Sequence, residues 1–164
     1  IKKIGFSSYN LDNINDNINL YNFKIVQLPV NIFNSSYKYV SNIKYYRKKF
    51  NLEFHARSIF LQGLGLLKKI KSPRFKKLNN KLIMMDKISK KFSITNYDLM
   101  LSGVSRFDCI DSFIIGCSSY SDLIALKKFN NQKLKKKILD KLIINDAFIN
   151  DPRKWPRKIN YETY

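Results

Sequence analysis

The sequence predicts an α/β protein built on a parallel sheet, and three observations point there. Short apolar runs alternate with stretches of helical spacing along nearly the whole chain. The runs end in small or polar residues, a pattern suited to strands that open onto a ligand. The 164 residues, with an ordinary hydrophobic fraction of 45%, are enough for one domain with a real core and too apolar for disorder.

The elements follow in order. Lys2–Ser8 reads as a first strand. Leu11–Asn22 carries Leu11, Ile14, Ile18 and Tyr21 at helical spacing. Lys24–Asn31 is the second strand, limited by Pro29, which has no N–H to give a ladder. Tyr37–Phe50 is helical, with basic residues near its end, where the helix dipole favours them. Leu52–Ser58 is the third strand. A long connection with Gly63, Gly65 and Pro73 leads to helices near Phe75–Lys90 and over Ile94–Phe107, the latter despite Gly103. Ser112–Ser119 is the fourth strand, and Ser121–Phe129 the helix after it. Leu134, Ile138 and Leu142 recur four residues apart, which predicts an amphipathic helix with its lysines in water. A polar tail closes the chain. Alternation of this kind means a parallel sheet, either doubly wound or a (β/α)8 barrel. Four strands in an open sheet would leave two exposed edges, and four is half of the eight-stranded TIM barrel. The chain also begins without Met, which reads as processing or as a fragment.

Composition bounds the function. The formal charge of +19 has two readings. Lys, Asn, Ile, Tyr and Phe are abundant together, as in an AT-rich coding sequence; alternatively the basic surface binds nucleic acid or another polyanion. The lysines fall mostly on helices while the strand ends are neutral, so a nucleic-acid partner is not the expectation. Cys109, Cys117 and His55 are too few for the usual zinc site, and both thiols read as reduced and cytosolic. No apolar run reaches the roughly 18 residues of a membrane span, and no signal peptide is visible. The oligomeric state is left open.

The polar strand ends are the candidate site. They supply Gly5, Ser7 and Ser8; then Gln27 and Asn31; then Arg57 and Ser58, with Gln62 and Gly63 behind; then Gly116, Ser118 and Ser119. On the second strand, Val26, Leu28 and Val30 share one face and suit packing against helices. Ile25, Gln27, Pro29 and Asn31 share the other. Gln27 then faces either its strand neighbours or a planar amide partner such as a nicotinamide carboxamide. His55, mid-strand, reads as a packed, hydrogen-bonded histidine. Asp108, Asp111 and Asp122 read as turn and helix-start residues.

With these ends in line, the chain resembles the aldo/keto reductase family. "IGFSSYN", "IVQLPVNIF", "FHARSIFLQGLGLL" and "FIIGCSSYSDL" resemble the family's strands five to eight in order, and "DPRKW" is similar to a segment of a bacterial branch associated with sugar and surface-polysaccharide pathways. The resemblance implies that residues 1–164 are the C-terminal part of a single reductase domain whose N-terminal half is missing. It implies an NADP- or NAD-dependent oxidoreductase acting on a small-molecule carbonyl substrate. Ser7 and Ser8 fall where the family holds the carboxamide with Ser and Asn, Ser8 replacing the Asn. Gln27 falls on the carboxamide-binding Gln. Arg57 falls where many members stack a tyrosine on the nicotinamide ring; an Arg there stacks too, binds a substrate anion, or sits in solvent. Ser58, Phe60, Gln62 and Gly63 fall in the loop over the pyrophosphate. Gly116, Ser118 and Ser119 lead into a helix whose free N–H groups suit a phosphate. Asp122 aligns with an arginine that binds the 2′-phosphate in NADP-dependent members, so the resemblance implies a weakened NADP preference, unless Lys127 or Lys128 compensates. The family's catalytic Asp, Tyr, Lys and His lie on strands one to four, outside these residues, so no catalytic residue is assigned.

Overall fold

A computed structural model describes residues 1–12, 14–129 and 131–164. It contains strands β1 (Gly5–Ser7), β2 (Ile25–Pro29), β3 (Glu53–Arg57), β4 (Lys69–Ile70), β5 (Ser112–Phe113) and β6 (Tyr161–Glu162). The helices are α1 (Ile14–Tyr21), α2 (Tyr37–Phe50), α3 (Lys76–Phe92), α4 (Asn96–Ser105), α5 (Tyr120–Lys127) and α6 (Lys136–Leu139). Strands β1, β2, β3 and β5 form one parallel sheet in that order, as the alternation predicts. Of the helix expected over Leu11–Asn22, Ile14–Tyr21 is observed, and Asn13 lies outside the described residues.

Period two sorts the sheet into unlike faces. Val26, Leu28, Val30, Phe54 and Ala56 are fully buried and share one core with Ile43, Leu82, Met85 and Val104 from the helices. Ile25, Gln27, Glu53, His55 and Arg57 lie on the opposite, half-open face, the one that lines a closed barrel. The register places Ser7 beside Gln27, Gln27 beside His55, and His55 beside Ser112. One polar row therefore crosses all four strands.

The helices end where local chemistry stops them. Ser36 caps α2, its hydroxyl accepting from the Tyr39 N–H at 3.3 Å. Asn51 ends it in the left-handed conformation, and Arg47, Lys48 and Lys49 occupy the last turn, facing the negative end of the dipole. Gly103 is tolerated inside α4 because the helix runs against β2's extension: a Cβ there would lie 2.1 Å from Ile32 Cγ2.

Four expectations need correction. The fourth strand is ladder-bonded only at Ser112–Phe113; the Ile114 N–H still donates to the Ala56 carbonyl at 2.8 Å, after which the chain leaves the sheet. Among the described residues the edge has no partner on its far side, and Gly116 with its small polar neighbours has little β-propensity. The basic helix over Lys133–Leu142 shrinks to α6 and a 3₁₀ turn at Asp140–Leu142, burying Leu139 and Leu142 instead of the spaced Leu134, Ile138 and Leu142. Lysines at 133, 135, 136 and 137 repel across that first turn, and no side chain caps it. Asp111 is no simple turn residue: it binds Arg47 at 2.5 and 3.4 Å and the Phe54 N–H at 2.8 Å, joining α2 to β3. Asp108 pairs with Lys44 at 2.7 Å. Finally, β4 and β6 form an antiparallel pair that ties the tail to the long connection, which strand patterning did not foresee.

Candidate functional site

The carboxyl ends of the strands converge on Arg57. Its Nε donates to Ser7 Oγ at 3.0 Å, one terminal nitrogen to Ser58 Oγ at 3.2 Å, and the other to the Ser8 carbonyl at 3.1 Å. Its guanidinium also lies 4.5 Å over the ring of Tyr9. A solvent-exposed Arg57, one of the readings left open by the sequence, is thereby corrected: three hydrogen bonds and a ring hold it. On Tyr9, Arg153 from the tail stacks at 4.1 Å, itself gripped by Asp151 through two 2.8 Å bonds. That pairing holds the Asp151 carboxyl below its ordinary range. Two guanidiniums thus share one ring.

Gln27 stands in the polar row beside Ser7 and His55, half-buried. Its side-chain amide makes no hydrogen bond among the described residues, although its backbone carbonyl accepts from the Ser8 N–H at 2.9 Å. His55 is packed, as expected, but its Nε2 stands 3.8 Å from the Glu53 carboxylate, beyond hydrogen-bond distance. Asn31, counted among the polar ends, turns inward instead. Its Oδ1 accepts from the Phe33 and Asn34 N–H groups, both at 3.0 Å, and its Nδ2 donates to the Ser58 carbonyl at 3.4 Å. Tyr39 secures the end of β2 by donating to the Pro29 carbonyl at 3.2 Å, and burial pushes its phenol pKa up, so it remains a donor.

The loop after β3 is backbone-strained. Ser58, Leu61, Gln62 and Gly63 all have positive φ, at 55°, 51°, 55° and 83°. Only the last comes at no steric cost. The turn is pinned by Leu61 N–H to Ser58 O at 2.9 Å and by Phe60, which stacks on Tyr97 at 4.6 Å. Ser58, Phe60, Gln62 and Gly63 then line a groove of about 250 Å³ whose other wall is Ile114, Ile115 and Gly116. A Cβ placed on Gly63 or Gly116 would meet nothing within 4 Å, so both glycines leave open space. The structure brings these distant segments together, as a shared ligand would require.

The start of α5 differs from expectation. The N–H groups of Ser118 and Ser119 are not free: both donate to Asp122, at 2.9 and 3.0 Å. Ser119 returns the bond from the Asp122 N–H at 3.2 Å, completing a capping box. Hydrogen bonds from Ser118 and Ser119 lower the Asp122 pKa, so a carboxylate engages these N–H groups. The sequence had pointed to most of this site but missed Tyr9 and Arg153. An aromatic directly after the Ser7–Ser8 strand end, and an Arg in "DPRKW", were the available signals.

No protein-family model matches the chain, and the curated proteins give no match. Solved structures do match. A thermostable aldo-keto reductase, crystallised with the inhibitor epalrestat, is 18% identical with a TM-score of 0.63, over 87% of this chain and 48% of its own. The glycerol dehydrogenase AKR11B4 of Gluconobacter oxydans is 18% identical with a TM-score of 0.64, over 87% of this chain and 49% of its own. At that identity the likeness is one of fold. The fold defines the class as α/β, a parallel sheet consistent with part of a TIM barrel. Within that class it is aldo-keto reductase-like, and the chain spans about half the length of the structures it matches.

Proposed function

We propose that these residues form the cofactor-holding side of an NAD(P)H-dependent oxidoreductase that reduces an aldehyde or ketone to an alcohol. The observation that carries this reading is the groove, which joins the strained Ser58–Gly63 loop to Gly116; the polar row across the strands adds Gln27, whose amide is uncommitted among the described residues. These residues fit a nicotinamide dinucleotide. The cofactor supplies hydride when bound. Gln27 and Ser7 orient its carboxamide; Ser58, Gln62 and the open backbone at Gly63 and Gly116 admit its phosphates. Arg57, fixed at the mouth, faces the region where ring and substrate meet. The acid–base residues belong to the half that precedes this chain in the related fold.

Asp122 sets the cofactor preference in this reading. A carboxylate already seated on the Ser118 and Ser119 N–H groups, just before α5, repels a 2′-phosphate, so NAD(H) binds at least as well as NADP(H). The test is fluorescence titration of NADH and NADPH into the full-length polypeptide, beside aldehyde-dependent loss of absorbance at the nicotinamide band. Gln27→Leu should weaken both cofactors about tenfold, the loss of a buried amide pair. Asp122→Ser should favour NADPH selectively. Absence of binding by either nucleotide would overturn the reading.

A further inference from the structure

The Arg57–Tyr9–Arg153 stack has more positive charge than the cofactor side needs. Arg57 carries five N–H donors and spends three on Ser7, Ser58 and the Ser8 carbonyl. Arg153 spends two guanidinium donors on Asp151 and has a side chain 57% exposed. Two guanidiniums against the single Asp151 carboxylate leave about one net positive charge at the mouth, by simple count. Tyr9 holds the two cations 4.5 and 4.1 Å from its ring, on a rigid apolar spacer. Such a pair, held by hydrogen bonds and the shared ring, is preorganised for an anion reaching over the ring edge.

We propose that Arg57 and Arg153 bind the anionic group of the substrate, so that the preferred substrates are carbonyl compounds bearing a carboxylate or phosphate. The inference rests on the reductase reading above and narrows its substrate class. Arg57 is oriented by strand-end hydroxyls and Arg153 by Asp151, so each presents its remaining N–H donors in a fixed direction. The tail contributes one wall of the substrate site, and Tyr9 sets the spacing between the two cations.

The test uses the full-length polypeptide and a matched pair of probes, 4-carboxybenzaldehyde and uncharged 4-nitrobenzaldehyde. Wild type should favour the carboxylate in kcat/KM by at least tenfold. Arg153→Gln and Arg57→Gln should each cut carboxylate turnover about 10- to 100-fold, mainly through KM, as loss of a charge-assisted bond does. Arg153→Gln should leave 4-nitrobenzaldehyde within about threefold, a readout that a merely structural role would move equally. Arg153→Lys should recover part of the carboxylate preference. Equal losses for the two aldehydes, or no preference in wild type, would overturn the proposal. Calorimetric titration of 4-carboxybenzaldehyde separates it from the reductase reading: binding that weakens in Arg153→Gln supports the anion site even where neither aldehyde turns over. Absence of binding overturns it, as does phosphate bearing no competition with the probe, since both anions would share the two guanidiniums.

Discussion

The middle of the sheet and its two flanks obey different rules. In β2 and β3, five-residue strands bury Val26, Leu28, Phe54 and Ala56 completely. At the flanks, β1 has three residues and β5 two. Helix α5 buries none of its residues and leaves Leu123 53% exposed; on α1, Leu20 is 72% exposed. The centre has strands on both edges and helices over one face, so the apolar residues of that face find partners. The flanks have unpaired ladder groups and apolar surface that water does not favour. Stability in this chain is therefore concentrated in the centre.

The largest expected effect tests that division directly. Residues 1–164 expressed alone should bind a hydrophobic dye and melt without a sharp transition, whereas the longer polypeptide that the reductase proposal implies should melt cooperatively. Differential scanning calorimetry decides it, and a sharp monomeric transition of the segment alone would break the comparison. Next in size, Phe54→Ala in the full-length polypeptide should cost about 3–5 kcal/mol in urea unfolding, the cost of a large core cavity. At the seam between centre and flank, Asp111 gives a smaller, pH-dependent contribution. Burial works to raise its pKa, but Arg47 and the Phe54 N–H outweigh that and hold it below the usual carboxylate range. A depressed folded pKa means the contribution is fully present above the unfolded value of about 3.9. It is lost as pH falls through the folded value. Urea midpoints between pH 6 and pH 2 should therefore drop for wild type and stay flatter for Asp111→Asn. The smallest effect belongs to the flank: Leu123→Ala should change unfolding free energy by less than about 0.5 kcal/mol. A loss comparable to Phe54→Ala would mean that α5 is covered in the full-length fold.

The same division explains what the sequence made legible. Strand order, the full extent of α2 and the alternation of β2 were readable because hydrophobic period and caps agreed there: Ser36, the spacing of Val40 and Ile43, and Asn51 all point one way. The end of the fourth strand and the Lys133–Leu142 helix were misread because spacing alone carries no information about a missing neighbour or about four crowded lysines. In the site, Gln27, the Ser58–Gly63 loop and Gly116 were visible as polar or glycine interruptions of apolar runs. The engagement of Ser118 and Ser119 by Asp122 was not, because a helix-start Asp looks the same whether it caps or merely tolerates the position. Arg153 was hidden for a different reason: its partner Tyr9 is nearly a whole chain away, and no local pattern reports such a contact.

That long reach has a consequence for how the molecule is made. Arg153 is delivered to Tyr9 by a tail that β6 fastens to β4, with the Tyr164 hydroxyl donating to Asp86 at 2.6 Å beyond it. A growing polypeptide emerges amino end first, so the segment carrying Tyr9 is synthesised well before Arg153. A chain cut short before this tail would still hold Gln27 and Arg57 while lacking the second guanidinium on Tyr9. The two-cation stack is in that sense assembled only after the tail has been made.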